Sequence, residues 1–434
     1  MFSKILIANR GEAAVRIIRA CKEMGISTVA VYSEADAESL HTALADEHIC
    51  IGGKEASESY LKMDRILSAA LVTGAQAIHP GYGFLSENYE FAQKCLENNI
   101  AFIGPDPAVI RRMGNKDQAR QAMKEAGVPV IPGTDLLQDA GEALQAAEKI
   151  GYPVLLKARS GGGGKGIRRV NAPEEMEQAF QTAAAEAREA FRDGALYMEK
   201  FIAKAKHIEV QILADEARHI VCLGERECSI QKNNQKLVEE SPSPAVNDSL
   251  RKKLMAAAKK AAKKVGYVNA GTIEFLLTPE QEFYFMEMNV RLQVEHGVTE
   301  QVTGIDLVKW QIRIAAGIPL NFTQKDVAIQ GNSIECRINA QSVGEVRFLH
   351  VPGGPMVRFD SALWTGYAIP PFYDAMIGKL IVYSATREEA IRKMRAALCE
   401  LIIEGVPNNV ELQMDIISDS RFVSGEYGTD FFVK

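Results

Sequence analysis

No stretch of the chain approaches the roughly 20 consecutive apolar residues that a membrane-spanning helix needs. The N-terminal run Ile5-Leu6-Ile7-Ala8 meets Arg10 and Glu12 too soon for a signal peptide. Positive charge is not in excess either, since 50 Lys and Arg stand against 56 Asp and Glu for a net charge of −6. General affinity for nucleic acid or an anionic membrane is therefore not expected, although a local basic pocket for a small anion is compatible with this balance. The seven cysteines (Cys21, Cys50, Cys95, Cys222, Cys228, Cys336, Cys399) contain no C-x-x-C pair to suggest zinc or dithiol chemistry. Odd in number and scattered, they read as free thiols in a reducing compartment, which makes the cytoplasm the expected location. What is present is an ordinary globular composition, 47% hydrophobic and 24% charged over 434 residues, enough for two to four domains.

The apolar run at 4–8, a helical pattern from Gly11 to Met24 with Val15, Ile18 and Cys21 on one face, and a second apolar run from Thr28 to Tyr32 predict β-α-β. The alternation continues through Ala77-Ile78, a helix over 88–98 and a run over 100–103. The first 110 or so residues are thus expected to form a parallel α/β unit. The dinucleotide signature G-x-G-x-x-G is missing after the first strand, where Asn9-Arg10-Gly11-Glu12 stands instead. The loop His79-Pro80-Gly81-Tyr82-Gly83-Phe84-Leu85-Ser86-Glu87, taken alone, reads as a structural turn more readily than as a ligand loop.

Further on, Val154-Leu155-Leu156-Lys157 and Ile167-Arg168-Arg169-Val170 flank Ser160-Gly161-Gly162-Gly163-Gly164-Lys165-Gly166, predicting a hairpin with a glycine-rich tip. Consecutive glycines let backbone N–H groups approach a phosphate closely, and Lys157 and Lys165 add charge, so phosphate binding is favoured over a linker. A long helix over about 173–191 follows, then strand-like segments at 209–213 and 220–223. The charge-dense stretch Glu225-Arg226-Glu227-Cys228-Ser229-Ile230-Gln231, considered alone, reads as a solvated edge strand.

The strongest constellation lies in Thr272-Ile273-Glu274-Phe275-Leu276-Leu277 and Phe283-Tyr284-Phe285-Met286-Glu287-Met288-Asn289, two strands joined by a turn containing Pro279. Period-two alternation predicts that Phe283, Phe285, Glu287 and Asn289 share one face, continued at about 7 Å intervals by Arg291, Gln293 and Glu295 if the chain stays extended. Two facing carboxylates, Glu274 and Glu287, would repel unless a cation sits between them. Mg²⁺ bridging nucleotide phosphates is the natural candidate, because it prefers oxygen ligands and needs only one or two protein carboxylates. Arg291 suits a planar oxyanion, and Glu295 is placed to move protons.

Together these segments resemble the biotin carboxylase family of ATP-grasp ligases over nearly the whole chain. The resemblance rests on Ile7-Ala8-Asn9-Arg10-Gly11-Glu12, the 79–87 loop, the glycines at 161–164, Met198-Glu199-Lys200, Glu287-Met288-Asn289 and Arg291-Leu292-Gln293-Val294-Glu295-His296. It continues in Glu335-Cys336-Arg337-Ile338-Asn339-Ala340, Pro370-Pro371-Phe372-Tyr373-Asp374 and Met376-Ile377-Gly378-Lys379-Leu380. It implies a mixed α/β and α+β architecture in three parts: an N-terminal parallel α/β domain over 1–113, an ATP-grasp domain over 114–320 with a mobile glycine-rich lid at about 130–203, and a C-terminal domain over 330–434.

The implied reaction has two steps. ATP phosphorylates bicarbonate to carboxyphosphate, and the CO₂ it releases is captured by biotin on a carrier protein. By matching motif, Lys116, Lys157, Gly163, Gly164 and His207 would hold phosphates or ribose, Glu199, Lys200 and Ile202 the adenine, and Gln231 and Asn234 would also contact nucleotide. Glu274, Glu287 and Asn289 would hold Mg²⁺ (or Mn²⁺). Bicarbonate would meet Lys236, Arg291, Gln293 and Val294, with Glu295 as general base, while Arg337 would stabilise an enolate-like biotin with Tyr82 nearby.

The chain departs from the family pattern at Asn234 (usually His), at Gly297 (usually Pro), after Ala340, where a Phe-x-Pro-Ser-x-Gly stretch is missing, and at Pro355, where an aromatic residue is common. Arg19 and Glu23, kept on the first helix, go with a homodimer. With no Met-Lys-Met biotinylation site, the biotin carboxyl carrier and the carboxyltransferase subunits are expected on separate chains. The expected assembly is acetyl-CoA carboxylase. The alternatives are another carboxylase, such as one acting on pyruvate or propionyl-CoA, or a non-catalytic nucleotide-binding paralogue.

Overall fold

Five short apolar runs within the first 102 residues pair side by side as β1 (Lys4–Ile7), β2 (Ser27–Ser33), β3 (Glu47–Gly52), β4 (Ala77–His79) and β5 (Ala101–Phe102). They form an all-parallel sheet in the order β3-β2-β1-β4-β5. In this computed structural model, which describes residues 1–159, 166–233 and 235–433, that sheet is buried on both faces, as parallel sheets require. Leu6 and Ala8 enter one apolar cluster with Val29, Ile66 and Phe91, whereas Ile5 and Ile7 enter another with Ile17, Leu307 and Trp310. The parallel unit expected from the alternation is present.

A second, three-stranded sheet has the order β7-β6-β8, made by β6 (Val154–Ala158), β7 (Ile167–Val170) and β8 (Leu196–Lys200). The helix Met176–Phe191 packs on it through Ala183, Ala184 and Ala187. The predicted hairpin is present in the register Lys157↔Ile167. Its tip, with Gly163 and Gly164, lies outside the described residues, as does Asn234.

The largest sheet is antiparallel and eight-stranded. It contains β9 (Lys206–Ala214), β10 (Ile220–Lys232), β11 (Gln235–Ser241), β12 (Asn269–Leu277), β13 (Phe283–Asn289) and β14 (Asn332–Asn339), with the strands Met376–Ser384 and Val357–Ser361 completing the far side. The order is β13-β12-β9-β10-β11-β14, then 376–384, then 357–361.

Two sequence expectations fail here. The stretch 225–231 is no solvated edge, because β10 lies between β9 and β11 and Glu225, Arg226 and Glu227 are at most 1% exposed. Their charges are met from elsewhere in the fold: Arg251 forks onto Glu225 at 2.8 Å through each of two nitrogens, and Ser243 donates to Glu227 at 2.8 Å. Nor do Phe285 and Glu287 share a face. The β12–β13 register runs Phe275↔Phe285 and then Glu274↔Glu287, so Met286 is the extra residue of a β-bulge and the alternation flips across it. Phe285, Met288 and Val290 pack in the core, while Glu287 and Asn289 turn to the opposite surface.

The first and last parts of the chain are tied by a buried polar knot. Arg10 forks onto Asp36 at 2.6 and 2.7 Å, Tyr60 donates to the same carboxylate at 2.6 Å, and Tyr373 lies with its ring centroid 4.0 Å from the Arg10 guanidinium. The Tyr373 hydroxyl reaches back to the Lys54 carbonyl at 2.6 Å. Burial works to raise the Asp36 carboxyl, but the Arg10 hydrogen bonds and charge overcome it and hold it below its ordinary value. Its contribution to stability is therefore complete above the ordinary carboxylate range and lost as pH falls through the folded value. Asp36→Asn leaves Arg10 without its anion and should cost about 3–5 kcal/mol. Scanning calorimetry should show a large drop in the unfolding midpoint at pH 7, and a smaller difference from wild type below about pH 3.9.

Candidate active site

The bulge at Met286 brings four ionisable side chains into one row across neighbouring strands: Glu287 on β13, Glu274 on β12, Glu209 on β9 and Arg226 on β10. Adjacent strands lie about 4.8 Å apart, so three carboxylates in succession require compensation. Arg226 is fully buried and contacts Glu209, Gln211 (2.8 Å), Thr299 (2.9 Å), Thr272 (3.1 Å) and Gln293 (2.6 Å). From β11, Lys236 Nζ reaches Glu209 at 2.7 Å, Glu274 at 3.1 Å and Glu295 at 2.6 Å. Burial works to lower the Lys236 ammonium, but the three carboxylates around it raise it well above its ordinary value. Lys236 is a fixed cation.

Glu274 collects further donors, from Asn289 at 2.8 Å and Gln293 at 2.9 Å, and His207 Nε2 lies 3.0 Å from its other oxygen. Although burial opposes ionisation, Lys236 and then His207 hold the Glu274 carboxyl well below the usual range. Glu287 is different. Among the described residues no ion pair reaches it, and the negative charge of Glu274, followed by burial, raises its carboxyl. A carboxylate under like-charge pressure, facing a second carboxylate and beside the Asn289 amide, is the donor set that suits a hard divalent cation. These residues fit Mg²⁺.

Beyond Asn289 the chain does not stay extended. It turns through 290–295 into the helix His296–Thr303, and the turn still aims Arg291, Gln293 and Glu295 at the same region. Arg291 lies 3.0 Å from Glu87 and donates to Asn289 at 2.9 Å, which ties the 79–87 loop to the site. That loop is also a true turn. Asn9 donates to the Pro80 and Tyr82 carbonyls at 2.8 Å, and Gly81, at φ +64°, brings the backbone so close that a Cβ would lie 2.8 Å from the Asn9 amide nitrogen.

Glu295 is held from two sides, by Lys236 on one oxygen and by Arg337 at 2.8 Å on the other. Burial would raise its carboxyl, but Lys236, Arg337 and Arg226 together hold it well below the ordinary range. Arg337 also donates to Glu239 at 2.6 Å. The short connection after Ala340 leaves Arg337 anchored, because its carbonyl accepts from Asn409 at 3.0 Å and Gln413 at 2.6 Å. Gly297, in the first turn of its helix, leaves room for Ile381, whose Cδ1 would lie 2.4 Å from a Cβ there.

On the nucleotide side, Lys157 pairs with Glu199 across β6 and β8. The side chain of Lys200 is committed to the Gly151 and Tyr152 carbonyls at 2.7 and 3.1 Å. Ile202 lies two residues beyond β8, half-buried. Gln231 donates to the Cys228 carbonyl and approaches His207 Nδ1, both at 2.8 Å. Lys116 opens the helix Lys116–Glu125, close enough for its charge to act on Glu287. The Tyr82 ring centroid lies 5.9 Å from Lys379 Nζ, and the Val294 carbonyl accepts from Lys379 at 2.7 Å.

Sequence reasoning missed Glu209, Arg226, Glu239 and Glu87. Glu209 and Arg226 sit mid-strand in segments read only as strand-like or solvated, and their one visible signal was charge within an apolar pattern. All seven cysteines are unpaired, and among the described residues no helix is long and apolar enough to cross a membrane.

Family models match three successive segments of the chain: "Biotin carboxylase, N-terminal domain" over residues 1–110, "Carbamoyl-phosphate synthase L chain, ATP binding domain" over 115–323 and "Biotin carboxylase C-terminal domain" over 335–434. Biotin carboxylase 1 of Bacillus subtilis is 52% identical over 441 residues, covering 99% of this chain and 98% of that protein. A pyruvate carboxylase subunit of Methanothermobacter thermautotrophicus is 50% identical, covering 99% and 89%. Among solved structures, the biotin carboxylase domain dimer of Hydrogenobacter thermophilus 2-oxoglutarate carboxylase, in complex with MgADP, ADP and bicarbonate, superposes with a TM-score of 0.96. It is 48% identical and covers 100% of this chain and 97% of that one.

Proposed function

The chain belongs to the biotin carboxylase family, and on that premise we propose that it carboxylates biotin on a separate carrier protein in two steps at the site built around Glu295. The observation that carries the proposal is the convergence of Lys236 and Arg337 on the two oxygens of Glu295, beside the carboxylate pair Glu274 and Glu287. In the first step Glu295 takes the proton of bicarbonate, and the bicarbonate oxygen attacks the γ-phosphorus of ATP to give carboxyphosphate and ADP. Lys236, Arg291, Gln293 and the Val294 backbone hold the anion and offset the repulsion between two negatively charged reactants. In the second step carboxyphosphate breaks down to CO₂ and phosphate, the released phosphate takes the proton of the biotin ureido nitrogen, and that nitrogen, with its enolate-like charge against Arg337 and with Tyr82 nearby, adds to CO₂.

Lys116, Lys157, Gly163, Gly164 and His207 hold phosphates or ribose in this reading, and Glu199, Lys200, Ile202, Gln231 and Asn234 the rest of the nucleotide. Glu274, Glu287 and Asn289 hold Mg²⁺, which supplies charge neutralisation at the transferred phosphoryl group. The same reading divides the chain into an N-terminal domain over 1–113, an ATP-grasp domain over 114–320 and a C-terminal domain over 330–434.

We place the protein in acetyl-CoA carboxylase, with a biotin carboxyl carrier and carboxyltransferase subunits as partners, as a cytoplasmic homodimer. Similarity to the Bacillus subtilis biotin carboxylase supports the biotin-carboxylating step on which that assignment rests. The comparable likeness to a pyruvate carboxylase subunit supports a second reading, in which a different acyl acceptor is served by the same chemistry.

The test is ADP release by purified protein with ATP, Mg²⁺ and bicarbonate, with and without free biotin. Biotin-stimulated turnover supports the reading, turnover indifferent to biotin points to another acceptor, and nucleotide binding without turnover leaves a non-catalytic paralogue. Glu287→Gln keeps the size of the side chain and removes the carboxylate that the charge of Glu274 opposes. Half-maximal activity should then require at least about tenfold more Mg²⁺, with kcat reduced on the order of 10²-fold. An unchanged Mg²⁺ titration would overturn the metal assignment.

A further inference from the structure

Lys379 belongs to none of the groups assigned above, yet it is a fully buried lysine at the junction of three elements. Its strand places it directly opposite Arg337 on β14 and opposite Asp360 on the strand Val357–Ser361. Its Nζ donates to the Val294 carbonyl at 2.7 Å, lies 3.5 Å from Glu12 and 3.9 Å from Asp360, and stands 5.9 Å from the centroid of the Tyr82 ring. The nearby Glu335 carboxyl, on the same face of β14 as Arg337, is fully buried and has no hydrogen-bond partner among the described residues. Glu12 likewise lacks hydrogen bonds to its oxygens, and burial, against the charge of Lys379, pushes its carboxyl up to about 7.

A buried ammonium needs carboxylates around it, and Glu12, Asp360 and Glu335 supply them. That account does not explain where its one short hydrogen bond goes. The acceptor is the carbonyl of the residue immediately before Glu295, in a turn with no regular backbone ladder of its own. Fixing that carbonyl fixes the peptide plane between residues 294 and 295, and so the direction in which Glu295 leaves the backbone. The same cation lies 5.9 Å from the Tyr82 ring centroid, at cation–π distance from the 79–87 loop.

We propose that Lys379 is a positioning residue that locks the turn bearing Val294 and Glu295, and with it the Tyr82 loop, in the arrangement that receives bicarbonate. The proposal rests on the functional reading above. Two variants separate it from a purely structural role. Lys379→Met removes the hydrogen bond and also leaves buried carboxylates uncompensated. Lys379→Met combined with Glu12→Gln removes the hydrogen bond while relieving part of that charge imbalance.

The thermal midpoint of the double variant should recover toward wild type relative to the single variant. Both should lose about 10²-fold in kcat/KM for bicarbonate in ADP release, since a displaced general base is costly. The KM for ATP should stay within about twofold, because nucleotide binding does not use this turn. A double variant with wild-type kcat/KM for bicarbonate, or a loss shared equally by the KM for ATP, overturns the proposal and leaves the functional reading standing. A wild-type protein without bicarbonate-dependent ADP release overturns the functional reading and this proposal with it.

Discussion

Replacing Glu295 with Gln should reduce both biotin-dependent carboxylation and the slower bicarbonate-dependent ATP hydrolysis without biotin by about 10²–10⁴-fold, the usual contribution of a positioned general base. The expectation follows from the order of events, because the proton leaves bicarbonate before biotin takes part. It also follows from geometry: both Glu295 oxygens are held by cations, Lys236 at 2.6 Å and Arg337 at 2.8 Å, so the carboxylate cannot swing away. In this arrangement burial tends to raise its carboxyl, and Lys236, Arg337 and Arg226 overcome that and keep it ionised. When an anion binds and draws on Lys236, part of that stabilisation is withdrawn, and Glu295 becomes a better base at the moment a proton must be taken. Gln keeps the size of the side chain but cannot accept the proton, and its amide nitrogen would face a cation. The KM for ATP should change little, since Glu295 touches none of the nucleotide-side residues. ADP release measured with and without biotin checks this, and activity within threefold of wild type in either assay would remove Glu295 from the role of base.

How far the fold was legible in advance depended on whether partners were close in sequence. The parallel N-terminal sheet follows from local alternation between short apolar runs and helical periodicity, and β1, β2 and β4 lie where those runs predict. Glu274 and Glu287 were legible because charged residues interrupt two adjacent apolar strands that share a tight turn. The face of Glu287 was not, because one extra residue at Met286 reverses the alternation, and a bulge leaves no mark in a pattern of apolar and polar residues.

Arg226 shows a second limit. Glu225, Arg226 and Glu227 look solvated in sequence, but the Arg226 partners Glu209, Thr272, Gln293 and Thr299 come from 17 to 73 residues away. Only strand order could reveal that a charged strand is central. Lys379 escaped for the same reason, its contacts lying on the first helix and on the turn at Val294.

Arg337→Ala should divide the two half-reactions. Its guanidinium bridges Glu295 and Glu239, and the strand beneath it carries the buried Glu335. Deleting so buried a cation could be expected to unfold the site, but the neighbouring carboxyls are already prone to take up protons. Burial pushes Glu239 up to about 7 even with Arg337 beside it, and raises Glu335 well above the ordinary range. In the variant these groups can protonate instead of remaining as unpaired buried anions, so the fold should survive. Glu295 keeps Lys236 on its first oxygen, and bicarbonate keeps Lys236, Arg291 and Gln293, so biotin-independent ATP hydrolysis should fall by no more than about tenfold, as expected when one flanking contact of a held group is lost. Biotin loses its only assigned cationic partner for the developing enolate-like charge. Removing such a donor costs on the order of 10²–10³ in rate, about 3–4 kcal/mol, so biotin-dependent carboxylation should drop well below the residual hydrolysis. The ratio of the two activities is the informative quantity, because any general damage to the site lowers both together. Equal losses would mean that Arg337 serves mainly to hold Glu295, and the second step would then have to find its charge stabilisation elsewhere, with Lys379, its register partner on the neighbouring strand, as a cation to test.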